Sequence, residues 1–136
     1  MADLVSSVAA YLLTQASISA IVGESIQPIP SPVDQALYPC IAYQVVSDTG
    51  GHTLTGPDGV AHARILFSCS AWNGPGSYGT AHTLGLAVKR ALNGYEGTLP
   101  NGPQVFYADA VNVTDLYQAD AMLSTTNVSV LFTYQD

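Results

Sequence analysis

His52, His62 and His82, the two cysteines Cys40 and Cys69, and Ser77 between glycines are the residues with which this chain could do chemistry. None of the histidines has a partner at metal-ligand spacing, and there is no Cys-x-x-Cys. Gly76-Ser77-Tyr78-Gly79 resembles a nucleophile elbow only loosely, because Pro75 stands where Gly-x-Ser-x-Gly has its first glycine. A helix cap explains Ser77 better. Gly74-Pro75-Gly76 before a helix suggests anion binding, but the Gly-Lys-Ser/Thr ending of a phosphate loop is missing. The acids Asp48, Asp58, Asp109, Asp115 and Asp120 are scattered over loops and strand ends. The residues thus point to no catalytic, cofactor-binding or metal site, and no cofactor or enzymatic activity is expected.

The elements that would position these side chains are clearer. Ile65, Phe67, Cys69 and Ala71 alternate with Arg64, Leu66, Ser68 and Ser70, which is the periodicity of a strand. From Ser77 to Asn93, Ala81, Leu84, Val88, Ala91 and Leu92 fall at helical spacing. Lys89 and Arg90 suit the last turn, and Asn93-Gly94 supplies the stop. Leu4, Val8, Tyr11 and Leu12 form one face of an N-terminal helix opened by Asp3, and Ala16–Val22 adds a short turn of helix before Gly23. Pro28, Pro30, Pro32 and Pro39 make the segment up to Pro39 extended, with room for a short edge strand near Ser25–Gln27.

Cys40–Asp48 reads as a strand and Val60–Trp72 as its return. Between them Thr49–Gly59 carries four glycines and a proline, too long for a tight turn, so a protruding loop or β-arm is expected. Tyr95–Pro103 reads as a loop. Gln104–Thr114 reads as a strand with Val105, Tyr107, Val111 and Val113 on one face and a bulge near Asp109. Asp115–Leu123 is ambiguous, and Thr125–Tyr134 is the last strand. The expected fold is one α+β domain over residues 1–136, a mainly antiparallel sheet of four or more strands with two helices packed on one face. Ile65, Phe67, Leu84, Val88, Leu92, Val130 and Phe132 are its expected core. If Ile41, Tyr43 and Val45 share a face with Ile65, Phe67 and Cys69, Cys40 points the other way and a disulfide is not expected.

Composition narrows the partners. Only 10% of the 136 residues are charged, which suits a surface covered by other copies as well as one that is merely polar. Three basic residues face ten acids, a net charge of −7, so no basic face can be built for nucleic acid or anionic membrane. No signal-peptide pattern and no apolar run of about 20 residues is visible, which fits a cytosolic site of synthesis. The many tyrosines fit sheet packing and subunit contact alike.

In its order of elements the chain resembles the tail completion or tail terminator proteins of bacteriophages with long non-contractile tails. The likeness rests on the N-terminal helix, on Ile18-Ser19-Ala20-Ile21-Val22-Gly23, and on Tyr38-Pro39-Cys40-Ile41-Ala42-Tyr43 after a proline-containing loop. It continues through Arg64-Ile65-Leu66-Phe67 with Trp72 near the strand's end, and through the helix from Ala81 to Leu92 closed by Asn93-Gly94. The resemblance implies a structural virion protein. Such a protein forms a hexameric ring on the head-proximal end of the tail tube, stops tube polymerisation and presents a surface to the head connector, having been assembled in the bacterial host cytoplasm. Tail tube protein, head–tail connector proteins and further copies of itself are the implied partners. The segment around the glycine-rich loop, with Asp48, Gly51, His52, Leu54, Pro57 and Asp58, is the candidate contact with a neighbouring subunit or the tube. Alternatives are a head–tail connector or other minor tail protein and, from another class, a small cytosolic ligand-binding domain or enzyme.

Overall fold

The computed structural model describes residues 4–23, 25–28, 38–53, 56–72, 77–100, 102–118 and 123–135; at 48–53, 56–59 and 118 the description is of the backbone. The chain runs through α1 (Leu4–Leu13), α2 (Ala16–Val22), β1 (Ile26–Pro28), β2 (Cys40–Thr53), β3 (Gly56–Trp72), α3 (Ser77–Leu92), β4 (Gly97–Thr98), β5 (Gln104–Gln118) and β6 (Leu123–Gln135). The strands form one six-stranded sheet in the order β1-β2-β3-β6-β5-β4. All pairings are antiparallel except the short parallel pair of β1 with β2. The fold is α+β, as expected, with three helices rather than two. α2 is a helix in its own right, bent 90° from α1. Gly23 ends it at φ +62°, a conformation that favours glycine.

α3 packs across β3, β5 and β6. Its apolar stripe, Ala81, Leu84, Val88 and Leu92, is buried, and Gly85 lets the helix approach Thr126 and Val128 of β6. The sheet answers with Ile65, Phe67 and Cys69 from β3 and Val128, Val130 and Phe132 from β6. All seven residues expected in the core are at most 1% exposed. α1 and α2 add Leu4, Val8, Leu12, Ile18 and Val22 to the same cluster. Tyr11 ties α1 to the end of α3: its ring lies 4.7 Å from that of Tyr95, and its hydroxyl donates to the Ala91 carbonyl at 3.3 Å.

The β2–β3 register sets Cys40 opposite Ser70 and Ile41 opposite Cys69. Adjacent rows of a sheet point to opposite faces, so the two thiols are kept apart; both are buried and free. Of the two forms open to the glycine-rich segment, a protruding loop or a β-arm, the backbone takes the arm: the ladder between β2 and β3 continues through most of it, with Gly50 opposite Ala61, His52 opposite Pro57 and Thr53 opposite Gly56. Within the expected loop after α3, Gly97–Thr98 pairs with β5. β5 also runs on to Gln118 through a stretch whose sequence was ambiguous.

The face of β5 differs as well. Register shifts between Val105 and Tyr107 and between Ala110 and Asn112 each insert a residue and flip the alternation. Val105 and Ala108 are therefore buried, while Tyr107 and Val111, expected beside Val105, are 49% and 43% exposed.

Candidate functional site

Of the six residues singled out around the glycine-rich segment, Gly51, His52, Pro57 and Asp58 fall on the arm made by the far ends of β2 and β3, and Asp48 lies just before it. Asp48 stands opposite Ala63 and His52 opposite Pro57, Gly51 lies at a register shift, and Asp58 is within β3. Leu54 lies outside the described residues. The last pair between β3 and β6 is Val60 with Gln135, so beyond that point β3 has only β2 as a ladder partner among the described residues. The arm is thus a two-stranded ribbon projecting past the sheet.

The densest polar cluster lies elsewhere, where the start of α3 meets β5. Tyr78 and His82, one helical turn apart, stack with ring centroids 5.5 Å apart and planes 16° from parallel. Both reach Asp115 of β5. His82 Nδ1 lies 3.2 Å from Asp115 Oδ1, and the Tyr78 hydroxyl donates to Oδ2 at 3.1 Å. Thr126 Oγ1 of β6 donates to Oδ1 at 2.7 Å. These donors hold the Asp115 carboxyl below the usual carboxylate range, the Thr126 hydrogen bond most and His82 next. The same carboxylate pushes the Tyr78 phenol up, since ionising it would forfeit the hydrogen bond and set two negative charges together.

A histidine whose Nδ1 faces a carboxylate is half of a nucleophile-activating array. The serine required at the other half is not supplied by Ser77, whose hydroxyl lies 3.0 Å from Ser124 Oγ. That contact ties Ser77 to β6, where the sequence suggested a helix cap. The array therefore fastens the first turns of α3 to β5 and β6. The Tyr78–His82 spacing was readable in the sequence; the register that brings Asp115 beside Thr126 was not, because it depends on the bulges in β5. Among the described residues, no three His, Cys, Asp or Glu side chains gather where they could hold a metal ion. No single described helix is long and apolar enough to cross a membrane.

A curled sheet with a packed helix, a protruding ribbon and polar contacts used as fastenings defines a small structural domain. The sequence matches the family "Tail completion protein gp17" over residues 6–135, and the chain belongs to that family of phage tail structural proteins. Its fold is similar to that of a chain in a solved structure described as "Virion of native gene transfer agent (GTA) particle", with a TM-score of 0.77 and 16% identity, covering 98% of this chain and 95% of that one. No curated protein sequence matches the chain significantly.

Proposed function

We propose that this protein closes the head-proximal end of a long non-contractile tail tube as a homo-hexameric ring, ends polymerisation of the tube and offers the surface to which the head connector joins. Its role is structural and not enzymatic. The observation that carries the reading is the family match, which spans residues 6–135. The physical features agree with it. Low charge suits extensive contact between copies. A ribbon projecting beyond the sheet, with Asp48, Gly51, His52, Leu54, Pro57 and Asp58 in or beside it, suits contact with a neighbouring subunit or the tube. A ring also needs two different surfaces on each copy, because heterologous contacts close or grow without limit.

Deleting the gene from the phage or prophage that carries it tests the reading. Electron microscopy should then show tubes longer than normal, without a terminal ring and unjoined to heads; the protein supplied in trans during assembly should restore normal length and a terminal ring. Tubes of normal length that join heads without the protein would overturn it.

A further inference from the structure

Among the described residues, both long outer strands of the sheet leave backbone without a ladder partner: β1 covers β2 only at Ile41, Ala42 and Tyr43, and no described strand lies outside β2 from Gln44 to Thr53. The outer side of β5 is covered from Gln104 to Ala110. β4 pairs with Gln104 and Val105, the Ala108 amide and carbonyl bond to Tyr95 and Gly94, and Asn93 Oδ1 accepts from the Ala110 amide. From Val111 to Gln118 no described strand follows. Proteins that must not pair through such edges protect them with charged side chains, lysine above all, with proline or with bulges. Neither open stretch, QVVSDTGGHT or VNVTDLYQ, contains a Lys, Arg or Pro.

Exposed apolar side chains are concentrated there: of the eight exposed large hydrophobic residues described, Val45 and Val46 lie on the open stretch of β2 and Val111, Leu116 and Tyr117 on that of β5, while Phe106 and Tyr107 lie on the covered part of β5 and Tyr78 on α3. Each open stretch also carries a bulge near its start, at Val46 and at Val111. Bulges add twist, so these edges are shaped for a partner of matching twist and suit indiscriminate flat pairing poorly.

We infer that the open stretch of β5 in one copy pairs with the open stretch of β2 in the next, joining the sheets of neighbouring copies around the ring. The inference rests on the ring proposed above. A second copy is the occupant because the two edges differ from each other yet share one chemistry, uncharged apart from Asp48 and Asp115 and bearing exposed apolar residues. That is the requirement of a head-to-tail contact. The direction follows from the sheet. β2, β3, β6 and β5 alternate in direction, so β5 and β2 of a copy related by rotation about an axis along the strands meet antiparallel. The register also gives a tilt. Cys40, Ser70, Thr125 and Leu116 lie in one row, which places the open end of β5 level with the part of β2 that β1 covers. The two open stretches meet only if the strands are inclined to the ring axis, as strands of any closed sheet are.

Val46→Lys and Leu116→Lys place a charge on each edge at side chains 54% and 48% exposed, where folding tolerates it. With uncapped tail tubes, each should lower the fraction of ends carrying a ring by about tenfold or more, while Thr83→Lys on the exposed side of α3 should not. In wild-type rings, amide hydrogen exchange at 44–47 and at 112–117 should slow together relative to the free protein. Rings formed as readily by either edge variant, or slowing at one edge alone as a tube strand would produce, would overturn this contact and leave the ring standing. No ring from the wild-type protein would overturn the ring itself.

Discussion

Gly85 of α3 lies directly against Thr126 of β6. A Cβ built on Gly85 would fall on Thr126 Cγ2 and 3.0 Å from Thr126 Cβ. Alanine favours a helix interior over glycine by about 1 kcal/mol, but overpacking of this kind costs about 1–3 kcal/mol, and the neighbour that must yield is held by its bond to Asp115. Gly85→Ala is expected to lower unfolding stability by up to about 2 kcal/mol, measured by urea denaturation. Adding Thr126→Ser, which removes Cγ2 and keeps the hydroxyl, should recover part of the loss. A stabilised Gly85→Ala would show that α3 rides further from the sheet.

Asp115 gives the fold a dependence on pH of known sign. Its carboxyl is lowered in the folded protein by Thr126, His82 and Tyr78. A lowered carboxylate contributes stability above its unfolded value of about 3.9 and loses it as pH falls through the folded value. Because the side chain is 34% exposed, the contribution is less than about 1 kcal/mol. Between pH 7 and pH 3, wild-type protein should lose more stability than Asp115→Asn, compared by urea midpoints. Equal losses would mean that the three donors do not hold the carboxylate in solution.

Where alternation is unbroken, the sequence foretells burial well. Ile65, Phe67, Cys69 and Ala71 of β3 and Ala81, Leu84, Val88 and Leu92 of α3 lie inside as their periods require. β5 shows where this stops. A bulge adds one residue with no mark in composition, so Tyr107 and Val111 turn outward and Ala108 takes the core position. Asp115, which opens the stretch the sequence left ambiguous, sits in the strand with three donors from two other elements around it. The glycine-rich run at 49–59 left loop and β-arm undecided for another reason: glycine disfavours strands, but ladder hydrogen bonds come from the backbone and need no side chain. The surface proposed to join copies is the least legible part, since an edge strand becomes one only after the sheet order is known.

Cys40 and Cys69 should be inert while the protein is folded. Burial pushes the Cys40 thiol up to about 11 and raises that of Cys69 further. From an ordinary value of 9.0, that shift alone cuts the Cys40 thiolate about 100-fold near pH 8. Reaction with a chromogenic disulfide at pH 8 should be slow in native protein and release two thiols promptly in denaturant. Rapid native labelling would show that the end of the sheet bearing Cys40 opens.

Ring formation should strengthen with salt. Copies carrying −7 each repel one another, and the open edges bring no basic residue to offset it. Raising ionic strength from about 0.01 M to about 0.1 M shortens the screening length from about 30 Å to about 10 Å, while apolar edge contact is not weakened. Native mass spectrometry and capping of tubes across that range should show more ring at higher salt. A decrease would point to a contact carried by Lys89, Arg90 or Arg64.

Shortening the β2–β3 arm separates folding from assembly. The core ladder ends at Val60 opposite Gln135, and beyond it the arm pairs only with itself among the described residues. A two-stranded ribbon adds little stability of its own. Removing Gly51–Pro57 leaves Asp58-Gly59-Val60 between the paired Gly50 and Ala61, a three-residue connection with a central glycine, a length common between antiparallel strands. The pairs Asp48 with Ala63 and Thr49 with His62 can remain on either side of it. The shortened protein is therefore expected to fold with stability within about 1 kcal/mol of the parent, measured by urea denaturation, and to cap tail tubes poorly. Loss of cooperative unfolding would make the arm part of the folding unit. Normal capping by a folded, shortened protein would remove Gly51, His52, Leu54 and Pro57 from the contact and leave the sheet edges to carry it.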